Sequence, residues 1–193
     1  MNDNLIQSAK EYLIESFTRN PSYSFGDGTI MVEHSIHVCE IAENLTVYQE
    51  CDLLLIQIGS LFHDLGKSHL IDGKAVDKQI LRSRHEQLNI DAAHNFFKNQ
   101  ELSESFIESF AKLFDSESDI VEKSIIKDAD IIEFYMNFRL QKALNDWALD
   151  NNIQGELQRK ADKFNTVLTS QLAKKFAQPY WETMLKRWNL KKK

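Results

Sequence analysis

The sequence predicts an all-α protein, and three observations carry that prediction. Only 2 prolines and 6 glycines punctuate 193 residues, which leaves long stretches free to run as helices. Apolar residues recur at helical spacing, as in Leu5, Ala9, Leu13 and Phe17. No segment gives a convincing strand pattern. With 42% hydrophobic and 27% charged residues, the composition is that of a globular protein long enough for one domain with its own core.

Taken in order, the first helix is expected over about residues 5–17. Asn20-Pro21 breaks it, and the segment SYSFGDG (22–28) reads as a loop. A second helix is expected over about 31–48 and a third, strongly apolar, over about 52–64. The third ends at Leu65-Gly66, where a glycine suits a helix C-cap. Residues 67–76, around Asp72-Gly73, read as a polar loop. Further helices are expected near 84–99, 104–114, 120–148, 155–176 and 179–190. The long one follows Ser116-Glu117-Ser118-Asp119, a capping sequence before an apolar run, and Pro179 suits a first helical turn. No repeat, low-complexity tract or linker divides the chain. The reading is one domain over 1–193, with a motif core at about 31–136 and a C-terminal helical extension at about 137–193.

The formal net charge of −6 disfavours nucleic acid as a partner, since that binding needs clustered Lys and Arg. The basic tail (Lys186, Arg187, Lys191, Lys192, Lys193) reads as a solvated end. Cys39 and Cys51 form neither a metal-ligand spacing nor a disulfide framework, which fits a reducing compartment. The opening MNDNLIQSAKEYL has no basic start and no uninterrupted apolar run, so no signal peptide is expected. The apolar run 53–62 is interrupted by Gln57, Gly59 and Ser60 and is too short to span a bilayer. These features lead us to expect a cytoplasmic protein with no membrane partner.

Three places carry candidate chemistry. His34 shares a helical face with Val38, Ile41, Ala42 and Leu45, which turns it toward the core. For a lone histidine the ordinary reading is a hydrogen-bonded core residue, and His37 stands close enough to share a site or edge it. His63 and Asp64 come at the end of an apolar helix, with the small residues Gly59 and Ser60 one turn earlier. Burying two such groups costs several kcal/mol unless compensated, and a divalent cation binds imidazole and carboxylate together. An N-cap or a surface ion pair explains a lone Asp well but His-Asp on an apolar helix poorly. Lastly, Asp128 and Asp130 interrupt the aliphatic stretch IIKDADII, and Asp130 has Ile126 and Phe134 four residues to either side.

The segments EHSIHVCEIA, LLLIQIGSLFHDLGK and IIKDADIIEF, in that order, resemble the HD superfamily of metal-dependent phosphohydrolases over about 32–135. The resemblance implies an HD-domain-like helical bundle. It further implies His34, His63, Asp64 and Asp130 as ligands of a divalent ion (Mn, Fe, Co, Ni, Mg or Zn), leaving Asp128 as a surface group or one behind the ligands. The implied reaction is cleavage of a phosphate ester, in a nucleotide or another small phosphorylated metabolite, by metal-activated water. In that scheme Asp64 orients the nucleophile and Lys67 reaches a substrate phosphate, although a solvated loop lysine is an equal reading. RHEQLNIDAA resembles the segment that gives dinuclear relatives a second-metal ligand, but FAKLFDSESD lacks the histidines that should follow. We therefore expect one metal, with His85 as phosphate contact or general acid, unless Asp115 substitutes. His94 is placed on an outer helix face and His69 in the polar loop. The alternatives are a di-iron oxygenase using His85 with Asp115 or another ligand, or a non-catalytic module that senses a nucleotide or partner. In the C-terminal third, Trp181, Leu185 and Trp188 form an apolar stripe that either covers the core or makes a dimer face.

Overall fold

A computed structural model describes residues 2–19, 28–68, 70–71, 74–75, 78–150 and 152–192. By internal contacts the chain divides into two units, Met1–Ile126 and Lys127–Lys193. Among the described residues the architecture is all-α apart from one short hairpin.

In the first unit, α1 (Asn2–Arg19) buries Ala9, Leu13 and Phe17 completely, as their spacing requires. The break expected at Asn20-Pro21 and the loop after it fall outside the described residues, except Gly28. That residue caps α2 (Thr29–Leu45) at φ 87°, and a β-carbon there would stand 2.6 Å from the Phe17 carbonyl oxygen. Only glycine satisfies both constraints. A 3-10 turn, Thr46–Tyr48, completes the expected span of the second helix.

Asp52 caps α3 (Leu53–Phe62) by accepting from the Leu55 amide at 3.0 Å. The helix stops two residues short of the expected end, so His63 and Asp64 lie in the turn beyond it. A second 3-10 turn, Leu65–Ser68, leads to an antiparallel pair of two-residue strands, β1 (Leu70–Ile71) and β2 (Lys74–Ala75). The sequence pattern had given this stretch as loop. α4 (Lys78–Phe97) starts six residues earlier than expected, and Ser103 caps α5 (Glu104–Lys112). α2 packs mainly on α3, while α4 packs on the second 3-10 turn. The core between them is aromatic: Phe62 meets Phe96 edge-on at 5.3 Å, and Phe97 meets Phe110 at 4.9 Å.

The division between units falls inside α6 (Val121–Met136). The single helix expected over 120–148 is in fact α6 and α7 (Phe138–Asp150). Asn137 separates them: its Oδ1 accepts from the Leu140 amide at 2.9 Å, capping the new helix. Likewise the helix expected over 155–176 is α8 (Glu156–Thr166) followed by the start of α9 (Gln171–Arg187). Ser170 caps α9 through the Ala173 amide, and Pro179 lies inside α9 rather than in a first turn. Trp181 stacks on Phe164 at 4.1 Å and donates its indole N–H to the Ala161 carbonyl, so part of the apolar stripe covers α8 within the same unit.

Candidate metal centre

α3 and α2 deliver the site. His34 projects from the middle of α2 and is 2% exposed. His63 and Asp64 are held in the turn after α3 by Asn89 of α4, a fully buried residue that the sequence patterns did not single out. Its Oδ1 accepts from the Gly66 amide at 2.7 Å and its amide nitrogen donates to the His63 carbonyl oxygen. Those two backbone groups would otherwise continue the helix, and this is the physical reason α3 ends before the HD pair. Gly66 does not have the left-handed C-cap conformation expected of it. Its role is close approach: a β-carbon would stand 2.8 Å from that of Leu88 and 2.9 Å from Asn89. The missing side chain of Gly59 makes room for the Leu113 and Ile126 side chains, which a β-carbon there would meet at 2.5 and 2.7 Å.

Nε2 of His34 lies 3.2 Å from Nε2 of His63. Oδ2 of Asp64 stands 3.5 Å from the latter and 3.7 Å from the former. Ligands at about 2.1 Å from a metal lie about 3.0–3.4 Å from one another in octahedral or tetrahedral arrangements, so this triangle is close to the size of a coordination face. Tautomer chemistry agrees. His63 Nδ1 is 2.7 Å from the Ser60 carbonyl oxygen, which only accepts, so Nδ1 carries a proton and Nε2 is the nitrogen turned toward the site.

Asp64 is 5% exposed. Burial alone would raise its carboxyl, but Lys67, then His63 and His85, outweigh that and hold it well below the usual carboxylate range. Lys67 Nζ is paired with Oδ2, and His85 Nε2 meets Oδ1 at 3.0 Å. Lys67 is thus engaged with the site rather than solvated, and His85, 31% exposed in its side chain, is the more open member.

The remaining candidates separate. His37 and His94 are exposed, the latter as expected. His69 lies outside the described residues. Asp115 is exposed, and its carboxylate accepts from the Glu117 amide in the turn after α5. Asp128 is not a surface group: it is 2% exposed and accepts from the Thr169 amide (2.8 Å), the Thr169 hydroxyl (2.9 Å) and the Ser170 amide (3.2 Å). Asp130 instead lines a crevice with Ile131, Phe134, Tyr135, Lys160 and Lys163, and after burial its charge contributes to pushing the Tyr135 phenol upward.

Two imidazoles and a buried, depressed carboxylate that converge on one point could hold a divalent cation. The HD-domain family profile matches residues 31–135, and the chain belongs to that family, within the HD superfamily of metal-dependent phosphohydrolases. No curated protein and no solved structure matches it. No helix among the described residues is long and apolar enough to cross a membrane.

Proposed function

We propose that the protein hydrolyses a phosphate ester, in a nucleotide or another small phosphorylated metabolite, with one divalent cation held by His34, His63, Asp64 and Asp130. The observation that carries this reading is the triangle of two Nε2 atoms and Asp64 Oδ2 with edges of 3.2, 3.5 and 3.7 Å. A cation bound there supplies Lewis acidity toward a phosphoryl oxygen and toward water.

The chain's own residues do the rest. Ser60, through its carbonyl oxygen, fixes the His63 ring, and Asn89 fixes the turn beneath it. Lys67 and His85 take the two oxygens of Asp64, keeping it ionised and oriented. Of the two, His85 has the solvent access a substrate needs, and it can hold or hand over a proton at Nε2 to a leaving oxygen. Lys67 brings positive charge within reach of a phosphoryl group.

The test is bound-metal analysis together with a panel of phosphoesters assayed with Mn²⁺, Co²⁺, Ni²⁺ or Mg²⁺. About one metal per chain is expected, with turnover lost in Asp64→Ala and reduced on the order of 10²–10⁴-fold in His85→Asn. Equal turnover by wild type and Asp64→Ala would end this reading.

A further inference from the structure

We propose that Lys67 is a built-in competitor for the metal: its ammonium and the divalent cation claim the same ligand atom, Oδ2 of Asp64, and the ion binds by taking that oxygen from the lysine. The inference rests on the metal-centre part of the phosphohydrolase reading and adds how the site exchanges one cation for another. All the groups it uses lie in the unit Met1–Ile126.

The two oxygens of Asp64 are not equivalent. Oδ1 meets His85 Nε2 at 3.0 Å. Oδ2 faces both imidazoles, 3.5 Å from His63 Nε2 and 3.7 Å from His34 Nε2, and it is also the oxygen that Lys67 Nζ holds. A cation at about 2.1 Å from these three ligand atoms brings two positive charges to an oxygen that already carries an ammonium. With both on Oδ2, the two cations would stand only about 4–5 Å apart. Asp64 is buried, so little water is present to screen that repulsion.

The lysine has a reason to be there. Burial opposes the charge of Asp64, and Lys67 is the largest of the groups that outweigh it. It also has a way out. Lys67 stands three residues from Asp64, in the 3-10 turn Leu65–Ser68, so the pair is local and parts by rotation of one flexible stem. Its side chain is 25% exposed against 7% for that of Asp64, which lets the ammonium reach water from where it stands. A lysine that only orients the ligand carboxylate would act with the opposite sign. Removing an orienting partner lowers metal affinity, whereas removing a competitor raises it.

The experiment titrates chelator-treated protein with Mn²⁺, Co²⁺ and Zn²⁺ in turn by calorimetry and measures its Tm without metal. K67M keeps the stem and removes the charge, K67Q keeps an N–H donor should K67M fail to fold, and K67R keeps the charge. K98Q is the control, at an exposed position just past α4 and about 20 Å along that helix from His85. We expect metal affinity to rise about tenfold in K67M and K67Q, and to stay within about threefold of wild type in K67R and K98Q. The metal-free Tm should fall by about 5 °C in K67M and K67Q alone. Unchanged or lowered metal affinity in a folded K67M or K67Q overturns the inference and leaves the metal centre standing, and so does an unchanged metal-free Tm. Wild type that binds none of the three ions overturns the inference together with the reading beneath it.

Discussion

Asn89 and Gly66 are interlocked: the Asn89 side chain accepts from the Gly66 amide at 2.7 Å, and only a hydrogen at the Gly66 α-carbon lets α4 come this close. The contact lies directly behind His63 and Asp64. It converts the end of an apolar helix into a rigid turn that faces both side chains the same way.

Asn89→Ala should therefore cost both stability and metal. It leaves the Gly66 amide and the His63 carbonyl without their partner in a buried place, a loss of about 2–4 kcal/mol. Metal affinity should fall roughly 10–100-fold because the ligand turn is no longer fixed. Thermal melting of the metal-free protein measures the first effect and metal titration the second. Unchanged metal affinity in a folded variant would show that Asn89 only packs.

Gly66→Ala and Gly155→Ala make a matched pair. At Gly66 the new methyl meets Leu88 and Asn89 below 3 Å, so the α4 contact must open, at about 1–3 kcal/mol. At Gly155 nothing stands within 4 Å, and the cost is only that of φ +74°, about 1 kcal/mol. Denaturant midpoints should rank the variants in that order, with metal affinity affected by Gly66→Ala alone.

These residues mark how much was legible in the sequence. The α1 stripe and the apolar run of α3 announce their helices because buried faces repeat at helical spacing. The HD pair could be read as a site because polar groups at the end of such a run need compensation. Asn89 could not, since a single Asn more than twenty residues from the turn it holds leaves no periodic trace. The break between α6 and α7 was hidden for a similar reason: Asn137 sits in a pattern whose apolar rhythm continues on both sides, and only its capping bond reveals the boundary.

Acid titration should report Asp64 directly. Its folded carboxyl lies well below the usual range, while in the unfolded chain it returns to about 3.9. A depressed folded value means the unfolded state binds the proton first. This group's contribution is thus complete above about pH 4 and is lost as pH falls through the folded value. In chelator-treated protein, Asp64→Asn should show a shallower loss of stability below about pH 4 than wild type. Denaturant unfolding at a series of pH values tests it, and parallel acid limbs would contradict the assignment.

Thiol chemistry offers an independent check on packing. Burial, followed by the charge of Glu43, pushes the Cys39 thiol up to about 12. Cys51 is half-buried and outside the core. At pH 8 a thiol reagent should label one cysteine per folded chain, Cys51 by peptide mapping, and reach Cys39 only after unfolding. Rapid labelling of Cys39 in folded protein would mean that the α2 packing is wrong.

The two aspartates of α6 give the sharpest separation, because helix periodicity did not divide them. Asp128 spends its carboxylate on three donors from Thr169 and Ser170, anchoring the start of α9. Asp128→Ala should destabilise the protein by about 2–4 kcal/mol and leave metal affinity intact wherever the chain remains folded. Asp130→Asn should do the reverse, since it keeps the shape and hydrogen-bonding capacity of the side chain and removes the charge. Saturating metal at about a hundred times its Kd should add about 2.7 kcal/mol to wild type, a rise of roughly 5–10 °C in Tm. That metal-dependent rise should survive in Asp128→Ala from a lower starting Tm and vanish in Asp130→Asn from a nearly normal one. If the rise instead vanished with Asp128 and survived without Asp130, the ligand set would be wrong by one helical position pair.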